Sequence, residues 1–502
     1  MTTLSHLAIL PILIPLVAGL ICVLGRGRLR PLHRAVSLVS TLAVLGVAVA
    51  LAMRTGAGEL LVYRPGAWPA PYGIVLVADR LAALMLVVTG MVALAAMLYA
   101  TAGADARGRH FHAFFQLQLV GLNGAFLTGD LFNLFVFFEI LLIASYCLLL
   151  YGGGERRTKA ALHYVVLNLA GSALFLLGVG TLYGVTGSLN MADLAVRVAL
   201  LPPTDAALVR GAGLLLLVVF GLKAAVMPLY FWLPNAYAAA TAPVAALFAI
   251  MTKVGVYCIV RVFTLIFGPL AGPGADTILA WLLPIALVTQ FLAYGGAFAA
   301  RGLRRQIGYL LIASVGTMLA AIGLFTREGI AAGLYYLIHS TLTVAVLFLV
   351  ADLLARQRGA DTDSLISGPR LIEPGRIGTL FFIGAIAMVG LPPLAGFLGK
   401  AQILAAAPAS TSGWWLWAVT LSGSVIALIA ITRAGVVLFW QTESDPAPAA
   451  PRTQGRAVPV IGLVVALLAL TVLAGPVTNY TTAAAEQLLQ PGGYVSSVLG
   501  GP

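Results

Sequence analysis

Charge is scarce in this sequence. Of its 502 residues only 9% are Asp, Glu, Lys or Arg, against about 25% in a soluble domain, and 61% are hydrophobic. A soluble fold is excluded. Cysteine is scarcer still: Cys22, Cys147 and Cys258 each stand alone in an apolar stretch, so no disulfide framework, zinc knuckle or iron–sulfur ligand set can be written. Histidine offers no mid-membrane pair for haem, because His6, His33, His110, His112 and His163 fall at or near expected helix ends, in solvated or interfacial positions. The run Gly152, Gly153, Gly154 lacks the spacing and the Gly-Lys-Ser/Thr ending of a phosphate loop and reads as a cytoplasmic turn. No metal or cofactor site is therefore expected, nor redox chemistry within the chain. The opening residues MTTLSHLAILPILIPLVAGLICVLG lack the basic n-region and small-residue cleavage site of a signal peptide and read as a retained first helix.

Long apolar runs are abundant. Bounded by charges, Gly and Pro, they place spans near 4–25, 34–53, 80–102, 111–128, 131–151, 161–185, 209–227, 243–268, 277–300, 303–325, 330–356, 378–400, 413–440 and 457–477. The expectation is an all-α polytopic membrane protein of about fourteen spans. The formal net charge of +12 then reports orientation and not nucleic-acid binding. Connections after odd-numbered spans hold Arg26, Arg28, Arg30, Arg34, Arg107, Arg109, Arg156, Arg157, Lys159, Arg301, Arg304, Arg305, Arg356, Arg358, Arg370, Arg376, Arg452 and Arg456. Those after even-numbered spans hold only Arg54, Arg64, Arg80, Arg197, Arg210 and Arg327. This bias predicts both termini outside the cytoplasm.

Five ionisable residues stay inside apolar segments: Glu139, Lys223, Lys253, His339 and Lys400. Insertion scales assign roughly 2.5 to 3.5 kcal/mol to a charge at the bilayer centre, so each needs a partner, a water-filled cavity or a task. A single buried lysine reads as readily as a snorkelling stem or half of a structural ion pair as it does as a functional group. Here three of only four lysines are intramembrane while 25 arginines lie mostly outside, and lysine, unlike arginine, gives up its proton when buried. Glu139 and Lys223 are candidate partners, and His339 is either a switch near neutral pH or a hydrogen-bonded core residue.

Proline breaks helices, a feature tolerated at membrane depth only where the freed groups face protein or water. Pro228, Pro234 and Pro243 follow Lys223, and Pro392 and Pro393 precede Lys400. The seventh and twelfth spans are thus expected to be broken. Being five spans apart, they divide the chain into two five-helix units at 111–268 and 277–440, of opposite orientation because five is odd. Residues 1–110 carry the first three helices and 457–502 the last helix and tail of this single membrane domain, 1–502.

At these residues the sequence resembles the antiporter-like subunits shared by multisubunit Mrp-type cation/proton antiporters and the respiratory NADH:quinone oxidoreductase. The likeness runs over nearly the whole chain. NLFVFFEILLIASYCLLL, ALHYVVLNLAGSALFLLGVGTLYGVTGSLNMADLA, KAAVMPLYFWLPNAYAAATAPVAALFAIMTKVGVY and PPLAGFLGK resemble the D-type subunits of the antiporters most. The resemblance implies a coupling pair at Glu139 and Lys223, a proton relay through Lys253 and His339, and a terminal site at Lys400, where the proton would exit. It implies a secondary transporter subunit, not an enzyme, exchanging protons for Na+ (or K+ or Li+) in a bacterial cell (inner) membrane, with further subunits as partners and no nucleic acid. The cation path is expected to involve another subunit, since hard cations need several oxygen ligands and Glu139 is the one deep carboxylate in view. Two alternatives stand beside this: a proton-pumping subunit of a redox complex, which would travel with flavin and iron–sulfur subunits, and a structural or receptor-like bundle, which would not need titratable lysines.

Overall fold

Apolar helices dominate because a bilayer leaves no water to satisfy a bare backbone, so nearly every N–H and C=O must be paired within its own segment. The computed structural model describes residues 5–25, 30–359, 363–446 and 454–500; Arg26, Arg28 and Arg452 lie outside the described residues. The chain begins with α1 (Leu10–Leu24), α2 (Arg30–Gly56), α3 (Arg80–Thr101) and α4 (Phe111–Leu127). It continues through α5 (Leu131–Leu150), α6 (Glu155–Thr186), α7 (Met191–Ala199), α8 (Ala206–Ala224), α9 (Trp232–Ala239), α10 (Ala242–Phe248) and α11 (Met251–Leu265). The second part comprises α12 (Leu279–Ala299), α13 (Leu303–Ile322), α14 (Arg327–Arg358), α15 (Pro374–Val389), α16 (Ala395–Ala405) and α17 (Thr411–Phe439), and α18 (Gln454–Val472), α19 (Ala474–Leu489) and α20 (Gly492–Leu499) close it. Among the described residues, eleven helical stretches are long and apolar enough to cross a membrane. The chain is a multi-pass, all-α membrane protein.

Burial sorts the helices into two shells. Helix α14, 32 residues or roughly 48 Å long, is buried along almost its whole length and packs against α3, α10, α13, α15, α16, α18 and α19. Helices α2, α6, α12 and α17 bury one stripe and turn the rest of their apolar surface outward, as a lipid-facing helix does. Small residues permit the closest approaches: a Cβ on Gly121 of α4 would stand 2.6 Å from Leu141 Cβ of α5, and one on Gly316 of α13 2.7 Å from the Gln290 amide nitrogen of α12.

Three buried carboxylates tie helices together, each through arginine. Asp79 caps α3 by accepting from Ala82 N (2.9 Å) and pairs with Arg261 of α11 at 2.7 Å. Asp352 of α14 meets Arg304 (3.0 Å), Arg356 (2.6 Å) and the Tyr99 hydroxyl (2.8 Å). Asp105, between α3 and α4, meets Arg34 (2.6 Å) and His112 (3.2 Å). Burial would raise the Asp105 carboxyl, but hydrogen bonds from His112 and Arg34 and their charges hold it at about 2. His112 is thus buried within the protein and bonded, not solvated, because this carboxylate draws it inward, and His33 is buried as well.

Several elements fall where only connections are expected. The segment between α2 and α3 forms an antiparallel hairpin of β1 (Leu61–Tyr63) and β2 (Leu76–Ala78). Helix α7 starts where the Asn190 side chain accepts from Ala192 N and Asp193 N, and its Met191, Leu194 and Val198 are buried. Helix α9 follows α8, and α19 and α20 follow α18; Tyr480 and Tyr494 pin these last two to Arg80 and Arg261. Strand β3 (Gly368–Arg370) pairs in parallel with β4 (Thr442–Pro446).

Candidate functional site

Lys223 is the penultimate residue of α8, which ends because Ala225 turns into the left-handed region (φ +58) and Pro228 has no N–H to continue the ladder. The carbonyls freed there are taken up locally: Val226 N donates to Gly221 O (2.9 Å) and Trp232 Nε1 to Leu222 O (3.2 Å). On the far side of the gap, Met227 N donates to Thr289 Oγ1 of α12 (2.9 Å). The buried Lys223 ammonium donates to Asn168 Oδ1 of α6 at 3.0 Å and lies 5.6 Å from the centre of the Phe138 ring. Beside it is a small cavity lined by Tyr164, Asn168, Trp232, Met251 and Val254, with room for about one water.

Glu139 sits midway along α5, half-buried, and accepts a hydrogen bond from Ser172 Oγ of α6. Among the described residues no ion pair joins Glu139 to Lys223. Their two partners, Asn168 and Ser172, are four residues apart and therefore one turn apart on the same face of α6. The carboxylate and the ammonium are both held, but each by a neutral group on a third helix.

The other interruption is built differently. Gly390 ends α15 in the left-handed region (φ +83), and Leu391 N reaches back to Ile386 O at 3.1 Å. Pro392 and Pro393 lie in the gap before α16, whose first amide, Ala395 N, is capped by Thr471 Oγ1 of α18 (2.9 Å). Lys400 of α16 folds back so that Nζ donates to Val389 O, the last carbonyl of α15, and to Ser424 Oγ of α17, both at 2.7 Å. The ammonium thus stands at the negative, C-terminal end of α15. A Cβ on Gly390 would come within 2.8 Å of Lys400 Cδ, so glycine serves both the turn and the lysine. The amine borders an apolar cavity of about 540 Å³ between α15, α16 and α17.

Between the interruptions lie Lys253 and His339. Lys253 is in the first turn of α11 with no exposed surface, and its Nζ has no hydrogen-bond partner among the described residues. His339, at mid-α14, is buried with Tyr336 beside its ring and Thr343 Oγ1 3.4 Å from Nδ1. Gly396, one turn before Lys400 on α16, leans on the same ring: a Cβ there would be 2.8 Å from His339 Nε2.

Asn168, Ser172, Ser424, Asp79 and Asp352 are absent from the sequence-derived set. The pair Asn168/Ser172, polar at i and i+4 in an otherwise apolar stretch, is the signal that would have found the first two. Asp352 is a second carboxylate in an apolar stretch, buried near the end of α14 and not at mid-helix as Glu139 is.

Residues 128–427 match the family described as NADH:quinone oxidoreductase/Mrp antiporter, TM. The chain is 42% identical to a probable K(+)/H(+) antiporter D-type subunit of Rhizobium meliloti (strain 1021), covering 99% of this chain and 98% of that one. It is 38% identical to the Na(+)/H(+) antiporter D-type subunit of Alkalihalophilus pseudofirmus, covering 99% of each. Among solved structures, a chain of the Mrp complex from Dietzia sp. DQ12-45-1b superposes with a TM-score of 0.87 at 27% identity, over 99% of this chain and 100% of the other. The arrangement of buried lysines described above therefore sits on a recognised scaffold, and the chain belongs to the NADH:quinone oxidoreductase/Mrp antiporter family of transmembrane subunits.

Proposed function

We propose that this chain is the proton-translocating subunit of a multisubunit monovalent cation/proton antiporter, moving protons through Glu139, Lys223, Lys253, His339 and Lys400. One observation carries the reading. Among the described residues the buried Arg261 and the partly buried Arg304 and Arg356 are matched to carboxylates, and the buried Arg358 donates to the Ser364 and Ile366 carbonyls just past the end of α14, whereas none of the three buried lysines Lys223, Lys253 and Lys400 is paired with a carboxylate. Lys223 and Lys400 rest on neutral oxygens and Lys253 on nothing. An ammonium without a counter-ion in a low-dielectric interior is readily deprotonated, and lysine is the basic residue able to release its proton there. The fixed charges are built from arginine and the movable ones from lysine.

In this reading a proton held on Lys223 is released when an arriving charge or a motion of a neighbouring subunit disturbs Glu139. It passes through water toward Lys253, then His339, and leaves from Lys400. The chain crosses the membrane about fourteen times. Segments α4–α11 and α12–α17 are two five-span units of opposite orientation, each contributing an interrupted helix with a lysine at its break. The Arg-rich connections face the cytoplasm and both termini lie outside it. The partners are other subunits of the antiporter, which complete the path of the exchanged Na+ or K+. The family's name also covers redox-driven pumps; a complex of this chain that carries flavin and iron–sulfur subunits would favour that second assignment.

The test uses everted vesicles containing the whole complex, with cation-dependent proton movement read by a pH-sensitive dye. Glu139→Gln and Lys223→Ala are each expected to abolish exchange while the assembled complex stays at its normal level. Normal exchange in either variant would overturn the assignment.

A further inference from the structure

The two charged groups of the first unit are both turned toward α6. We propose that Asn168 and Ser172 form a seat on α6 that keeps Lys223 and Glu139 apart in the resting state, so that Asn168 is a positioning residue setting how firmly Lys223 holds its proton. The inference rests on the proposed antiport function and deepens it by assigning the control of its first proton-carrying group.

The geometry of Asn168 is one-sided. Its Nδ2 donates to Tyr164 O one turn back at 2.8 Å, which aims Oδ1 at Lys223 Nζ, 3.0 Å away. An amide oxygen favours the ammonium by one neutral hydrogen bond, whereas a carboxylate in the same place would add a full charge. Ser172, one turn farther along, donates to Glu139 and so occupies the carboxylate that would otherwise be drawn to Lys223. The seat holds the ammonium weakly and keeps the stronger counter-ion bonded to Ser172, one turn along the same face of α6. A small movement of α5 relative to α6 then exchanges one partner of Lys223 for the other. The titratable groups facing Lys223 are Glu139 from α5, Tyr164 from α6 and Cys258 from α11, with Lys253 five residues before Cys258 on that helix. Asn168 and Ser172 themselves carry no charge, so they shape the response without titrating.

The sign of each perturbation follows. Asn168→Asp, nearly isosteric, places a competing carboxylate against Lys223 and stabilises its protonated form, so the pH optimum of exchange moves up by about one unit or more. Asn168→Leu removes the acceptor and moves it down. Ser172→Ala frees Glu139 to approach Lys223 and moves it up, and Ser172→Thr, which keeps the hydroxyl, restores the native profile.

The experiment records full pH profiles of cation-dependent proton exchange in vesicles holding the whole complex, normalised to complex content, with Lys223→Ala alongside. Opposite shifts for the Asp and Leu variants, together with rescue by Ser172→Thr, are the expected result. If the Leu variant does not assemble, the upward shifts of Asn168→Asp and Ser172→Ala decide the matter alone. Profiles unchanged in position, with only the amplitude reduced, would overturn the seat while Lys223→Ala remains inactive and the antiport reading stands. Exchange persisting in Lys223→Ala would overturn both.

Discussion

Replacing Lys253 by methionine separates what this residue costs from what it does. Lys253 has no exposed surface and no partner for its amine among the described residues. A buried polar group left unsatisfied costs about 1–3 kcal/mol, and more if it is charged. Methionine keeps an unbranched stem of similar length and fills the same space without the amine. Lys253→Met is therefore expected to stabilise the subunit by about 1–3 kcal/mol, a roughly 5- to 150-fold shift of its unfolding equilibrium, while slowing proton exchange or displacing its pH optimum. The stability change is read from the SDS fraction at which the purified complex loses this chain, and exchange from vesicles prepared in parallel. A more stable but impaired variant identifies an amine kept for its chemistry. A Lys253→Met complex less stable than native, with unaltered exchange, would show that the amine is part of the structural framework, and the reasoning would fail.

Other expectations follow from the same contacts. Asp79→Asn keeps the cap on α3 but leaves Arg261 without its counter-ion, which should cost about 3–5 kcal/mol and lower the amount of assembled complex; adding Arg261→Met should recover most of that loss, as measured by SDS resistance. Gly396→Ala puts a methyl group against the His339 ring and the Ala387 carbonyl and should reduce exchange through an overpacking strain of about 1–3 kcal/mol. Gly375→Ala, a site with nothing within 4 Å, should leave exchange untouched.

What could be read from the sequence divides along a physical line. Segments whose stability is local were visible: apolar runs long enough to span a bilayer, prolines that withdraw a backbone donor, and glycines such as Gly152, Gly153 and Gly154, all of which take positive φ in the turn before α6. The intramembrane lysines stood out because charge is so rare there. Features that depend on distant partners were not visible. Asn168 acquires its importance from Lys223, 55 residues away, and Asp79 from Arg261, 182 residues away. A direct Glu139–Lys223 contact is the natural expectation from charge alone, but neutral hydrogen bonds on α6 satisfy both groups first. The strands β1 and β2 are too short for hydrophobic periodicity to announce, and α7, whose Met191, Leu194 and Val198 form one apolar stripe, is too short to span a bilayer.

If the buried lysines work by gaining and losing protons, a permanent charge cannot replace them, and Lys400→Arg puts that to the proof. Arginine preserves the positive charge beside Val389 O and Ser424 Oγ but stays protonated throughout the working pH range. Cation-dependent proton exchange is measured in vesicles at equal complex content for the native chain, Lys400→Arg and Lys400→Glu. Near-complete loss is expected in the arginine variant and partial activity in the glutamate variant, since a carboxylate also relays protons. An arginine variant as active as the native protein would mean that a fixed charge suffices at this position, and would contradict proton transfer through the lysines.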